Sequence, residues 1–427
     1  MKLRDDWHFR GLVHQVTDDA ILDQLSSGGV TAYIGFDPTA PSLHLGSLLQ
    51  ICNLRRLQIA GNQPIALAGG GTGLIGDPSF KDVERPLQTQ ETLDANVEGI
   101  RAQLSRFLDF SPSAGKSHAL LLNNASWLTT VTLTDFLRDI GKHFTVNQMV
   151  AKDSVKSRLD RDDVGLSFTE FSYMLLQSYD FLRLNIDHGC TLQLGGSDQW
   201  GNITMGIELV RKAAGASAYG VTSPLLLRGD GKKFGKSEGG NERVWLDAEL
   251  TSPFALHQYL LNSDDVVTPQ LLRFFTFLDH ERILELDEAL KTAPQERQAQ
   301  RALANAVVTL VHGEEAALNA EKAGEALFSE AIADLDEATL LQVVADAPSS
   351  NVSREELREG IDVAELLTRC ELAKSKGEAR RFIDQGGVYV NNTRVESGQL
   401  LGLKDVLHDR YLVLRRGPRQ LHLVVIA

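Results

Sequence analysis

The sequence predicts an α/β protein with a doubly wound parallel sheet in its N-terminal half, then an α-helical domain, then a small α+β domain. Residues 30–68 read as strand, loop, helix and strand joined by short links. From Ser252 onward, apolar residues recur at helical spacing. After a Pro/Ser break at Ala347-Pro348-Ser349-Ser350-Asn351, the pattern changes again, to two short helices followed by strands.

Taken in order, residues 30–36 form the first strand, 37–42 a loop, and the next apolar-rich run a helix with Leu45, Leu48, Leu49 and Cys52 on one face and Gly61 as its stop. A second strand follows at 64–68. Strand, helix and strand with short links make a right-handed βαβ unit, and ligands bind beyond the carboxyl ends of such strands. Further strands at 119–123 and 191–194, with helices around 91–107, 134–140, 169–182 and 202–214, complete a Rossmann-like domain over 1–228. The stretch 229–240 carries five glycines and three lysines, so 229–247 reads as a mobile basic loop and its connection. Ser252-Pro253 and Thr268-Pro269 then serve as N-cap and first-turn pairs, and one long helix runs from 294 to 312 within a helical domain at 248–345. Residues 346–362 read as a linker, and 363–427 as the final domain, with helices at 363–372 and 376–385 and strands at 411–414 and 421–426.

Composition narrows the class. Of 427 residues, 43% are apolar and 23% charged, which excludes collagen-like and wholly disordered chains. No window approaches about 18 consecutive apolar residues, and the charged start Met1-Lys2-Leu3-Arg4-Asp5-Asp6 is not a signal peptide. Cys52, Cys190 and Cys370 are far apart with no C-x-x-C pair, which fits buried thiols in a cytoplasmic protein with no membrane partner. The net charge of −14 argues against a nucleic-acid partner until it is divided. Residues 363–427 hold 11 basic and 7 acidic side chains, net +4, and the preceding residues hold 32 and 50, net −18.

Two nucleotide signatures nearly fit and fail. Gly71-Thr72-Gly73-Leu74-Ile75-Gly76 follows a strand, but Asp77-Pro78 stands where a dinucleotide fingerprint continues as helix. Gly235-Lys236-Ser237 ends like a P-loop, but its first glycine is displaced by Asp230 and no strand precedes it. A third site survives. Pro38 to Ser47 lies between the first strand and its helix, where free N–H groups and the helix dipole favour a phosphate, Gly46 admits a flat base and His44 can donate to phosphate oxygens. The competing reading makes His44 a simple helix cap.

His44-Leu45-Gly46-Ser47 early and Lys233-Phe234-Gly235-Lys236-Ser237 much later resemble the paired HIGH and KMSKS signatures of class I aminoacyl-tRNA synthetases. Tyr33-x-Gly35-Phe36-Asp37-Pro38-Thr39, Gly73 to Ser79, Phe168 to Tyr173 and Gly195 to Asn202 are similar to motifs of the bacterial tyrosyl-tRNA synthetases, in the same order along the chain. The resemblance implies an ATP-dependent tyrosine–tRNA ligase acting as a homodimer on L-tyrosine, ATP with Mg²⁺, and tRNA(Tyr), with no bound organic cofactor and no metal-ligand set of its own. It places the phenolic oxygen of tyrosine on Tyr33 and Asp180, its ammonium on Asp77, Tyr173 and Gln177, and its carboxylate near Gln199. ATP falls to Asp37, Thr39, His44, Gly46, Ser47 and Asp198, and the pyrophosphate to Lys81, Arg85, Lys233 and Lys236, with Ser237 closing the second signature. Ser47 replaces the signature's second histidine. In the last domain Lys374, Lys376, Arg380, Arg381, Arg415 and Arg416 resemble an RNA-binding surface, and 248–345 would read the anticodon. The rival readings are a synthetase for tryptophan, another HIGH-type nucleotidyl transferase, and an RNA-binding factor that has lost aminoacylation.

Overall fold

The computed structural model describes residues 2–76, 89–152, 155–156, 166–226, 243–326, 330–345, 347–417 and 420–427. Two compact units emerge, one of residues 1–251 with 263–303, the other of 252–262 with 304–427.

The first unit is built on strands β1 (Gln15–Val16), β2 (Thr31–Phe36), β3 (Gln63–Ala68), β4 (Leu120–Asn123), β5 (Leu192–Gly196) and β6 (Tyr219–Ser223) in the order β1-β6-β5-β2-β3-β4. Strands β2 to β6 are parallel, and β1 adds to β6 antiparallel. From β2 the chain steps outward to β3 and β4, and then returns to place β5 and β6 on the other side. The switch point of this doubly wound sheet therefore lies between β2 and β5, where Tyr33 pairs with Gln193. The parallel core follows the sequence pattern, whereas β1 and β6 fall outside the strands it predicts, and 134–140 is not the single helix it predicts. Leu133–Asp135 is instead a single turn continued by a π-helical turn, Phe136–Ile140.

The helix Leu45–Ile59 begins at His44, whose ring Nδ1 accepts from the Gly46 N–H at 3.0 Å. Near its other end the buried Arg56 donates to the carbonyls of Phe274 and Thr276, both at 2.9 Å, which fixes the helix against the segment that follows the helix Thr268–Phe275. The helix Phe168–His188 opens with a Ser167–Glu170 capping box and stops at Gly189, in the left-handed region at φ 64°. It packs against the helix Trp200–Ala214, and the contact is close enough that a Cβ on Gly206 would lie 3.1 Å from a Phe181 ring carbon. Tyr33, Leu67, Phe181, Leu184, Met205 and Leu209 share the core between sheet and helices. The run expected as one helix from 294 is broken. A 3-10 turn at Pro294–Glu296 ends in Arg297 at φ 51°, its guanidinium reaching the Ser263 carbonyl, and the α-helix Gln298–His312 starts only after it.

In the second unit a five-stranded sheet runs β10 (Thr393–Arg394), β9 (Val388–Val390), β12 (Tyr411–Arg416), β13 (Gln420–Ile426) and β7 (Ser349–Val352), with β8 (Ile361–Asp362) paired to β11 (Leu400–Leu401) beside it. Of the segment 346–362, read as a linker from its Pro/Ser content, the described residues 347–362 form regular elements. Ser349–Val352 joins β13 in parallel, and a Ser353–Glu356 capping box starts the helix Arg354–Glu359. The serines act as edge-strand and N-cap residues, roles that composition alone does not separate from a flexible link. Phe254, Ala320, Ala323, Leu340 and Val343 from the helices share a core with Tyr411, Val413 and Leu423 from the sheet.

Candidate active site

At the β2/β5 switch point a partly enclosed cavity of about 200 Å³ is lined by Tyr33, Asp37, Tyr173, Gln177, Asp180 and Gln199 among others. These six come from β2, its following loop, the helix Phe168–His188 and the turn after β5. All six are among the residues expected from the family resemblance to meet the amino acid or the nucleotide, and the fold gathers them in one place.

Asp180 is 2% exposed. Asn124 Nδ2 donates to its Oδ2 at 2.9 Å and Trp127 Nε1 to its Oδ1 at 2.8 Å. Burial pushes the Asp180 carboxyl up to about 7 against these hydrogen bonds, with the charge of Asp37 adding to the rise. Beside it the Tyr33 ring is buried, and its hydroxyl makes no hydrogen bond among the described residues. Burial, reinforced by the Asp180 charge, holds that hydroxyl protonated well above the ordinary range. A fixed buried acceptor and an unmatched buried hydroxyl suit a ligand that carries one hydroxyl of its own, because an unsatisfied buried group costs ~1–3 kcal/mol.

Asn124 and Trp127 were missed from sequence. Asn124 also donates to Thr72 Oγ1 at 2.9 Å and accepts from the Gly71 N–H at 2.8 Å, so it ties the loop after β3 to Asp180. The available signal was position: Asn124 directly follows a strand, where such sheets bind ligands. The loop needs its glycines, since a Cβ on Gly69 would lie 2.7 Å from Thr72 Oγ1 and 3.0 Å from Asp37 Oδ1.

Toward the opening, Tyr173 donates its hydroxyl proton to Asp37 Oδ1 at 3.4 Å. Gln177 Nε2 donates to Gln199 Oε1 at 3.2 Å, and Asn202 Nδ2 to Gln177 Oε1 at 2.9 Å, giving a row of side-chain amides on the β5 side. Asp198 lies against the backbone, where a Cβ on Gly196 would meet its Oδ1 at 2.6 Å. The nucleotide-signature residues sit further along the same loop after β2 and at the start of the helix Leu45–Ile59. Thr39 N–H donates to the Asp37 carbonyl at 2.9 Å, Ser47 N–H to the His44 carbonyl at 2.7 Å, and Gly46 is exposed at the helix start. His44 also forms an isolated antiparallel bridge with Trp245, supported by Leu45 N–H to Val244 O at 2.8 Å and Leu246 N–H to Leu43 O at 2.9 Å. The chain just after the lysine-rich segment is thus fastened to the helix N-terminus. Asp77, Lys81, Arg85, Lys233, Lys236 and Ser237 lie outside the described residues.

Residues 26–329 match the family model described as tRNA synthetases class I (W and Y). The chain belongs to that family. Residues 339–424 of the synthetase match a second model, the tyrosine–tRNA ligase SYY-like C-terminal domain. A tyrosine–tRNA ligase of Roseiflexus castenholzii is 50% identical over 422 residues, covering 98% of both chains. One of Geobacillus stearothermophilus is 48% identical over 429 residues, covering 99% of both. Among solved structures, a C-terminally truncated mitochondrial tyrosyl-tRNA synthetase of Aspergillus nidulans superposes with a TM-score of 0.68 at 30% identity, covering 77% of this chain and 94% of the other.

In the C-terminal part of the synthetase, Lys374, Lys376, Arg380 and Arg381 are exposed on and just before the helix Lys376–Asp384, with Lys376 Nζ 2.9 Å from Glu365. Arg415 is turned inward instead. Its Nε donates to Asn392 Oδ1 at 2.9 Å, its Nη1 to the Gly417 carbonyl at 3.1 Å, and its guanidinium lies 3.8 Å from the Tyr389 ring centroid. Arg416 is half-buried, over the Phe382 ring at 4.7 Å, and donates to the Leu372 carbonyl. Among the described residues, no helix is long and apolar enough to cross a membrane.

Proposed function

We propose that this synthetase is a tyrosine–tRNA ligase whose phenol pocket is formed by Tyr33 and Asp180. The observation that carries this reading is the Asp180 carboxylate, buried and aimed by Asn124 and Trp127 beside the unmatched Tyr33 hydroxyl. Tyrosine donates its phenolic proton to Asp180 and accepts from Tyr33. Asp77, Tyr173 and Gln177 take its ammonium, which leaves its carboxylate beside Gln199.

That carboxylate attacks the α-phosphate of ATP in line. The bond to the bridging oxygen breaks, tyrosyl-adenylate forms, and pyrophosphate leaves. A hydroxyl of the 3′-terminal ribose of tRNA(Tyr) then attacks the tyrosyl carbonyl, and AMP departs. The helix N-terminus at His44, Gly46 and Ser47 faces the nucleotide phosphates, Asp37 and Thr39 flank it, and Asp198 holds ribose hydroxyls. Lys81, Arg85, Lys233 and Lys236 take up negative charge as it shifts onto pyrophosphate, with Ser237 in the same signature. Mg²⁺ would enter with ATP as part of that substrate and would offset phosphate charge.

The basic side chains of 374–381 and Arg416 bind tRNA, while Arg415 supports that surface from within. The helical segment over 248–345 meets the anticodon. The protein works in the cytoplasm, which fits three buried free thiols, burial raising Cys52 to about 11 and Cys190 to about 12. It works as a homodimer, a reading supported by the apolar side chains that Leu133, Leu137, Val146 and Phe168 leave exposed. Charging of tRNA(Tyr) with each of tyrosine, phenylalanine and tryptophan tests the assignment. Charging with tyrosine alone is expected, and charging with tryptophan in its place would overturn it.

A further inference from the structure

We propose that the C-terminal unit carries a pocket for a single unstacked nucleobase of the bound RNA, built on one face of the β12-β13-β7 ribbon. The proposal rests on the reading that this part of the synthetase holds tRNA.

Gln420 and His422 are two residues apart on β13 and so project to the same face. The strand register sets Arg416 of β12 opposite Gln420, and Ser350 of β7 beside Val424, the next residue of that face. Ser350, Gln420 and His422 line an open cavity of about 730 Å³, walled on its other side by Cys370 and Leu372 in the turn after the helix Val363–Arg369. That volume is in the range of small-molecule sites, roughly 300–1,000 Å³. No residue of the tyrosine pocket contributes to it.

The lining chemistry matches a base more than a simple anion. His422 Nε2 and Ser350 Oγ are 2.8 Å apart. Burial holds the His422 imidazole below its ordinary value, with Glu371 opposing, so the ring is neutral at pH 7, and with Nε2 paired to Ser350 its Nδ1 is the one ring nitrogen left for a ligand. The exposed amide of Gln420 presents a donor and an acceptor side by side, the pairing that reads a base edge. Leu372 supplies apolar surface for a flat face.

The surroundings point to RNA. The cavity wall at Cys370–Leu372 runs directly into the exposed Lys374 and Lys376, and Arg416, seated on Phe382, donates to the Leu372 carbonyl at the same rim. Cations flanking a polar slot let the backbone of a looped-out nucleotide lie on charge while its base enters, the usual way proteins read single-stranded positions.

A base-deletion scan tests this on the full-length protein. Transcripts of tRNA(Tyr), each with one unpaired nucleotide made abasic, are titrated by fluorescence anisotropy against wild type, Gln420→Ala and His422→Gln. One deletion is expected to weaken wild-type binding about tenfold and to weaken neither variant further, a coupling of the size of one edge contact. Gln420 is exposed, so Q420A keeps the fold, and unchanged tyrosine-dependent pyrophosphate exchange checks that it has. If no deletion separates wild type from the variants while Lys376→Ala and Arg380→Ala still weaken every transcript, the pocket is wrong and the RNA surface stands. If wild type binds none of the transcripts, the RNA reading itself falls and the pocket with it.

Discussion

At Asp180, burial and hydrogen bonding work in opposite directions, and the balance near pH 7 gives the pocket proposed for tyrosine a pH dependence. Below about pH 7 the free pocket takes up a proton on Asp180. A phenol that donates to the carboxylate favours the ionised form, so tyrosine affinity should fall as pH drops from 8 to 6, by at most about tenfold per unit. Asp180→Asn should remove that dependence, and fluorescence titration of tyrosine from pH 6 to 8 measures both. Stability moves the other way. A carboxyl raised above its unfolded value binds more protons in the native state, so the unliganded fold loses stability as pH rises from about 4 to about 7 and is level above. Trp127→Phe keeps the ring but leaves Asp180 Oδ1 without its indole donor. The tyrosine KM should rise about tenfold, the scale of one unsatisfied buried group, and an unchanged KM would show that the indole does not aim the carboxylate. Tyr33 and Tyr173 stand within quoted motifs, Gln177 and Asp180 follow from the family resemblance, and the fold brings all four to one cavity. Asn124 and Trp127 were not legible in the sequence, because their partner is 56 and 53 residues further along the chain and only the fold brings the end of β4 against the helix Phe168–His188.

Among the elements, the strand–loop–helix that opens the sheet was legible because three signals agree there: an apolar strand, a Pro-rich loop and a helix with a capping residue. The strand β1 is two residues long and β7 lies in a serine-rich stretch, so neither carries alternation long enough to read, and both exist because a neighbouring strand offers an unpaired edge. Arg415 misled for a related reason. A basic residue reads as surface, yet β12 is buried along Tyr411 to Arg415, and its guanidinium finds Asn392 and Tyr389 inside. The helix pair behind the pocket depends on one small residue, Gly206 under Phe181. Gly206→Leu should lower stability by about 1–3 kcal/mol through overpacking. Urea unfolding of the first unit reads it, and an unchanged midpoint would mean that the helices have slack at that contact.

Over the whole molecule, the net charge of −14 hides a division: residues 1–362 carry −18 and residues 363–427 carry +4, which is why the proposed tRNA contacts are sought at the C-terminal end. Leu133, at 72% exposure, and Phe168, at 79%, leave large apolar side chains in water, which is the reason to expect a second copy of the chain against them. Phe168→Asp should shift sedimentation from dimer toward monomer, and a dimer as tight as wild type would place the interface elsewhere. The central assignment, a pocket that selects tyrosine by its hydroxyl and activates it with ATP, is tested most directly by amino-acid-dependent exchange of pyrophosphate into ATP. Exchange with tyrosine, far slower exchange with phenylalanine, and loss of tyrosine exchange in Asp180→Asn are the expected results. Exchange that is equal for phenylalanine and tyrosine, or absent with tyrosine in the wild type, would contradict it.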